Sequence, residues 1–127
     1  MAGSVKIKTQ DLSGVALDWA VAKAEGLDFE PYFARYRKCW EMHVVRCGYN
    51  PERKVYVFEP SADWGQGGRL IEKYRIGFGI YESSLLAVTG HNDFAGSEHG
   101  ETHLIAACRA IVAARLGDDV DVPEVLA

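Results

Sequence analysis

Seven consecutive residues, Asp63 to Arg69, bring together an acid, an indole, an amide, three glycines and a guanidinium. Each group has a use in holding a ligand. The Trp64 indole offers a flat face on which a base or another ring stacks. Asp63 and Gln66 carry groups that hydrogen-bond ring edges or ribose hydroxyls. Gly67 and Gly68, read as the start of a helix, leave backbone N–H groups for an anion, and a phosphate placed there gains from the helix dipole. Arg69 adds a planar, bidentate phosphate partner. Asp18 and Trp19, earlier in the chain, are candidates for a second wall. The same stretch also reads as a structural corner: Asp63 caps, Trp64 fills core and the glycines permit a tight turn. The glycine pair matches neither GxGxxG nor a P-loop.

Other chemistries find less support. His91, Asp93, His99, Glu101 and His103 crowd one stretch, yet no HExxH or paired cysteines accompany them, so the stretch reads as a solvated loop and no metal is expected. Being rich in glycine, that loop could close over a ligand. No GxSxG elbow occurs. Cys108 falls within an apolar helical run and reads as an inert core thiol. His43 and Cys47 lie four apart on one predicted strand, which gives them a shared face and no more. No catalytic set and no cofactor is expected.

The elements that position these groups follow from periodicity. Val5-Lys6-Ile7-Lys8 alternates apolar with charged, which predicts a short half-exposed strand. Gly14 to Glu25 reads as a helix ended by Gly26, thin because of its alanines and carrying Trp19 as its large filler. Asp18 sits beside Trp19, either on a solvated polar face or as an acid facing a cleft. Leu27 to Lys38 is an aromatic-rich connection in which Pro31 limits regular structure. Phe29, Tyr32, Phe33, Tyr36 and Trp40 recur at steps of three and four, as in a partner-binding stripe, a core, or an interface between two copies. Trp40 to Arg46 and Lys54 to Glu59 are expected to pair as an antiparallel hairpin across the turn-forming Gly48 to Arg53.

After Pro60, the segment Arg69 to Tyr74 reads as about two helical turns. Ile76 to Tyr81 is an apolar run interrupted by Gly77 and Gly79, and Leu85 to Thr89 is a further strand. Thr102 is expected to cap a long helix to Leu116, apolar on most sides and hence central, with Gly117 as its stop. Asp118 to Ala127 reads as an acidic surface tail. These elements predict an α+β fold: a small, mainly antiparallel sheet packed by an N-terminal helix and a long C-terminal helix. The 127 residues are expected to form a single domain, 1–127.

Composition bounds the function classes. A net charge of −4 disfavours general nucleic-acid binding, although Arg35, Arg37 and Lys38 fall together. Three cysteines without CxxC spacing fit reduced thiols in a cytoplasmic protein better than a disulfide framework. No apolar run is long enough to span a membrane, and no signal-peptide pattern opens the chain.

Three of these stretches also resemble one family. Gly14-Val15-Ala16-Leu17-Asp18-Trp19-Ala20-Val21-Ala22-Lys23-Ala24-Glu25-Gly26 resembles the first helix of the NinX family of temperate-phage proteins. Pro60-Ser61-Ala62-Asp63-Trp64-Gly65-Gln66-Gly67-Gly68, followed by Leu70-Ile71-Glu72, resembles that family's central motif. Leu104-Ile105-Ala106-Ala107 with Arg109, and later Leu116 to Pro123, resembles its C-terminal segment. His103 stands where the pattern has a proline, and Asp28 to Phe58 carries no quotable match and reads as an elaboration. The resemblance implies expression inside a bacterial host, in the cytoplasm, and carries over no catalytic residue.

Three functions remain. The first is a non-enzymatic binder of a small nucleotide-like ligand, a sponge for a host defence signal, using Asp63, Trp64, Gln66, Gly67, Gly68 and Arg69, with Asp18 and Trp19 behind them. The second is a protein-interaction module that inhibits or redirects a host protein through Phe29 to Trp40. The third is a small hydrolase or transferase using Asp63 or a histidine. A homo-oligomer, with a pocket shared between subunits, is compatible with the aromatic excess.

Overall fold

A computed structural model describes residues 3–27, 29–34, 39–44, 56–90 and 95–127. The order of elements is β1 (Ser4–Lys8), α1 (Gly14–Ala24), β2 (Phe29–Ala34), β3 (Cys39–Val44), β4 (Tyr56–Val57), α2 (Trp64–Lys73), β5 (Gly77–Tyr81), β6 (Ser84–Val88), β7 (Ser97–His99), α3 (His103–Leu116) and β8 (Asp119–Pro123). The class is α+β, and every strand pairing among the described residues is antiparallel. Among the described residues the strands form three small sheets, β1-β8, β2-β3-β4 and β5-β6-β7, where the sequence suggested one.

The two predicted helices are the centre of the fold. In α1, Ala16 to Ala22 is a continuous buried run, so the helix is covered on nearly every side. Its alanines allow α3 to approach, and α3 buries Leu104, Ala106, Ala107, Cys108, Ala110, Ile111 and Val112 in return. Thr102 caps α3 as expected, its Oγ1 accepting from Ile105 N at 3.1 Å. Gly117, at φ 92°, ends the helix. Gly26, at φ 67°, follows α1 in the left-handed region that glycine adopts without strain.

Several expectations are corrected. Pro31 does not prevent regular structure: Phe29–Ala34 is a strand, and it lies at the edge of its sheet, where a missing N–H is tolerated. With 29–34 and 39–44 extended, the three-and-four spacing of the aromatics is not a helical stripe. Side-chain surroundings of Phe29, Tyr32, Phe33 and Trp40, like Tyr36 and the basic group Arg35, Arg37 and Lys38, lie outside the described residues, as does the turn Gly48 to Arg53. The expected hairpin partners do meet, His43 opposite Val57 and Val44 opposite Tyr56.

The acidic tail is not a surface tail. Its Asp-Val-Asp-Val alternation places Val120 and Val122 in the core and forms β8 against β1. Thr9 fastens that corner: its N–H donates to Asp118 O at 2.8 Å and its hydroxyl to Gly117 O at 2.6 Å.

The polar loop is likewise part strand. Ser97–His99 pairs with β6 and packs on α3. Gly96 and Gly100 make that approach feasible. A Cβ on Gly96 would come within 2.3 Å of Ala110 O, and one on Gly100 within 2.4 Å of Ala106 N. This end of the loop is therefore clamped to α3 and does not itself close over a ligand. His91 and Asp93 lie outside the described residues.

Candidate functional site

The Asp63–Arg69 stretch is not a turn leading into a helix; it is the N-cap and first half of α2. The preceding corner is tightly bonded. Ala62 N and Asp63 N both donate to Glu59 O, at 3.0 and 2.9 Å. Asp63 then occupies the N-cap, its Oδ1 accepting from Gly65 N at 3.0 Å and its carbonyl from Gln66 N and Gly67 N at 3.1 and 2.8 Å. The expectation of free N–H groups on Gly67 and Gly68 is thereby corrected. The Gly67 N–H is engaged, and Gly68 lies a turn inside the helix.

The two glycines differ in purpose. Gly67 is where α2 crosses the chain behind it: a Cβ there would sit 2.5 Å from both Pro60 O and Leu104 Cδ2. Gly68 has nothing within 4 Å of a Cβ. Steric need accounts for the first glycine only.

Gln66 holds the strand side of the corner. Its Oε1 accepts from Glu59 N and its Nε2 donates to Val57 O, both at 2.9 Å. A side-chain amide thus completes the backbone hydrogen bonding of the segment that follows β4. Asp18 anchors the same corner from beneath. It is 6% exposed, and its Oδ1 accepts from Ser61 N at 3.0 Å. Burial pushes its carboxyl up to about 6, outweighing the Ser61 hydrogen bonds that favour the charged form. Asp18 is therefore not on a solvated face; its hydrogen bond to Ser61 N fixes the position of the loop. Trp19 is buried as well, with Lys23 Nζ 5.2 Å from its ring centroid.

The remaining predicted residues separate onto two sides of α2. Trp64 is 60% exposed and turns towards His103, 6.4 Å between ring centroids. His103 in turn meets Phe78 edge-on at 4.8 Å. Gln66 and Arg69 line the opposite side, a cleft of about 470 Å³ bounded by Glu25, Leu27, Phe58, Gly65 and Leu70. Among the described residues the Arg69 side chain makes no hydrogen bond or ion pair, and it stands exposed at the cleft. Glu25 is held by Lys73 Nζ at 2.9 Å and by the Tyr74 hydroxyl, which donates at 2.7 Å. Burial, then the Glu25 hydrogen bond, raises the Tyr74 phenol far above its ordinary value, so it stays a donor.

Sequence reasoning found Gln66 and Arg69 but missed the cleft's other walls. Glu25, Leu27 and Phe58 come from distant segments, and no short-range pattern links them to Arg69. Glu25 and Tyr74 are 49 residues apart. The alternative chemistries fare differently. Cys108 is buried, and burial pushes its thiol strongly up, so it stays protonated. His99 lies on β7 with its Nδ1 buried and without a partner among the described residues, while His103 opens α3. Cys47 is outside the described residues.

Fold and corner together define a small α+β protein built on two buried helices, with an Asp-capped, glycine-bearing third helix set over them. The family model described as Bacteriophage P22, NinX matches residues 8–115, and the chain belongs to this family of phage accessory proteins. The matched span includes residues 28–58, which the sequence suggested as an elaboration, and it ends before the Leu116 to Pro123 block. No curated protein matches the chain. Among the described residues no helix is long and apolar enough to cross a membrane.

Proposed function

We propose that the protein is a non-enzymatic binder of a small anionic ligand with a flat apolar body, of mononucleotide size, seated between the end of α1 and the first half of α2. The observation that carries this reading is the Arg69 guanidinium, without a partner among the described residues, at a cleft of about 470 Å³ lined by Leu27, Phe58 and Leu70. That volume falls within the range of small-molecule sites, and mostly apolar walls with a few polar groups are their usual make-up. Glu25 would repel an anion, but Lys73 and the Tyr74 hydroxyl already compensate its charge. Arg69 is left as the group that orients a phosphate or carboxylate. Within a phage-infected bacterium such a binder lowers the free concentration of a nucleotide-derived host signal, the sponge reading of the sequence.

The reading departs from the sequence in which residues line the site. Trp64 lies outside the cleft, and Asp18, Trp19, Asp63, Gly67 and Gly68 do not line it. Calorimetry and thermal shift with nucleoside monophosphates and cyclic dinucleotides test it. One member of the panel is expected to bind saturably and to be recovered unchanged after the protein is denatured. Arg69→Ala is expected to weaken that binding by roughly 10- to 100-fold, the worth of a charge-assisted hydrogen-bonded pair. Trp64→Ala leaves it unchanged. A panel without heat or thermal shift sinks the proposal, and time-dependent conversion of the ligand replaces it with an enzyme.

A further inference from the structure

β5 ends its sheet, and among the described residues no strand pairs with its outer edge. Which groups that edge offers follows from the hairpin. Tyr81 and Ser84 flank a two-residue turn, Glu82 and Ser83, both at positive φ (53° and 63°), as in a type I′ connection. The flanking pair of such a hairpin is hydrogen-bonded, so Tyr81, Gly79 and Gly77 direct their N–H and C=O groups inward to β6. Phe78 and Ile80 direct theirs outward. The free donors and acceptors are thus arranged symmetrically about Gly79.

Native edges are ordinarily protected by charge, proline, bulges or a covering element. This strand has the sequence Gly-Phe-Gly-Ile-Tyr, with Ile80 74% and Tyr81 59% exposed. The aromatic row Phe78, His103 and Trp64 adjoins it. Gly77 and Gly79 have nothing within 4 Å of a Cβ and no positive φ, so the chain's own packing does not account for them. Glycine weakens a strand unless another backbone or a ligand comes close.

The geometry points to a second copy of this chain as the occupant, its β5 pairing antiparallel with this one across a two-fold axis at Gly79. Phe78 then stands opposite Ile80 of the second copy, and Ile80 opposite its Phe78, closing both pairs of outward groups. Symmetry of this kind requires a residue facing itself, and Gly79 fills that position without a clash. Charge selects the same arrangement. Exposed Arg75 precedes the strand and exposed Glu82 follows it. An antiparallel mate brings each strand's positive end beside the other's negative end, whereas a parallel mate sets like against like. The interface lies on the side of α2 away from the Arg69 cleft and stands independently of the ligand proposal.

Sedimentation and site-directed cross-linking of the whole chain test the pairing. Wild type is expected at twice the 14.0 kDa chain mass. Facing residues of a non-hydrogen-bonded antiparallel pair are close enough for a disulfide, so Gly79→Cys should cross-link on oxidation while Gly77→Cys and wild type do not. Ile80→Lys should sediment as a monomer with an unchanged circular-dichroism spectrum and melting profile. Arg75→Glu should weaken the dimer roughly three- to tenfold, and adding Glu82→Arg should restore it. Wild type at single-chain mass at its highest soluble concentration overturns the proposal. So does equal cross-linking of Gly77→Cys, a dimer that survives Ile80→Lys, or a monomer that captures a host protein on this face.

Discussion

Asp18 carries a carboxyl whose value is raised by burial from 3.8 to about 6. The folded state therefore binds that proton more tightly than the unfolded chain. Its contribution to stability is fully present below about pH 3.8 and is lost as pH rises through about 6. A gap of this size corresponds to about 3 kcal/mol. Asp18→Asn keeps an oxygen for Ser61 N and removes the buried charge. It is expected to unfold at higher denaturant than wild type at pH 7.5, with the difference shrinking towards pH 4. A difference that stays constant across that range would show that the Asp18 charge is not the cause. The paired glycines give a second contrast. Gly67→Ala drives a methyl into Pro60 O and Leu104 and should cost about 1–3 kcal/mol. Gly68→Ala meets nothing within 4 Å and should stabilise the helix by about 0.5–1 kcal/mol. Chemical denaturation of the two variants side by side distinguishes steric need from an unfilled surface.

At the scale of elements, α2 is held by its two ends. Asp63 closes its first turn, Gln66 ties it to Val57 and Glu59, and Lys73 and Tyr74 tie its C-terminal end to Glu25. Gln66→Leu leaves the Glu59 N–H and the Val57 carbonyl without their side-chain partners. It is expected to lower stability by about 1–3 kcal/mol, and amide exchange should quicken at Glu59 before it does in α3. Uniform exchange across both elements would argue that the clamp is not local. The pairing of β7 with α3 rests on Gly96 and Gly100, whose backbones touch Ala110, Ala114 and Ala106. Any side chain at either position must move the strand off the helix.

Across the whole molecule the chain's two ends complete one sheet. β8 returns to β1 after the long helix and buries Val120 and Val122, and the following turn buries Leu126. Ending the chain after Gly117 removes all three, each worth about 1.5–3 kcal/mol when buried. It also leaves β1 without a partner strand. The truncated chain is expected to lose its cooperative melting transition, as calorimetry would show; a transition retained at the full-length temperature would mean that β1-β8 is an accessory. The cleft at Arg69 and the edge of β5 lie on different sides of α2, so the proposed ligand binding and the proposed self-association should be separable by Arg69→Ala and Ile80→Lys.

Local pattern was enough where one element answers to one rule. Helical spacing with Thr102 and Gly117 as its ends gave α3, alternation gave β1, and an alanine-rich run before Gly26 gave α1. The same alternation ran through Asp119–Pro123, but the aspartates masked it as a polar tail, since only the presence of β1 explains which face is buried. The chemical mixture of Asp63 to Arg69 was legible as unusual, and its division of labour was not. A helix turns by about 100° per residue, so a helix that begins at Trp64 instead of after Gly68 sends Trp64 to one side and Gln66 with Arg69 to the other. Where α2 begins was decided by Asp63 as cap and by the contact of Gly67 with Pro60 and Leu104, both consequences of packing. Sequence by itself determined the α+β class, the buried helices and the unusual chemical mixture of Asp63 to Arg69. Tertiary structure decided which of them share a cleft, because Glu25, Leu27 and Phe58 reach Arg69 only through long-range contacts that no local spacing encodes.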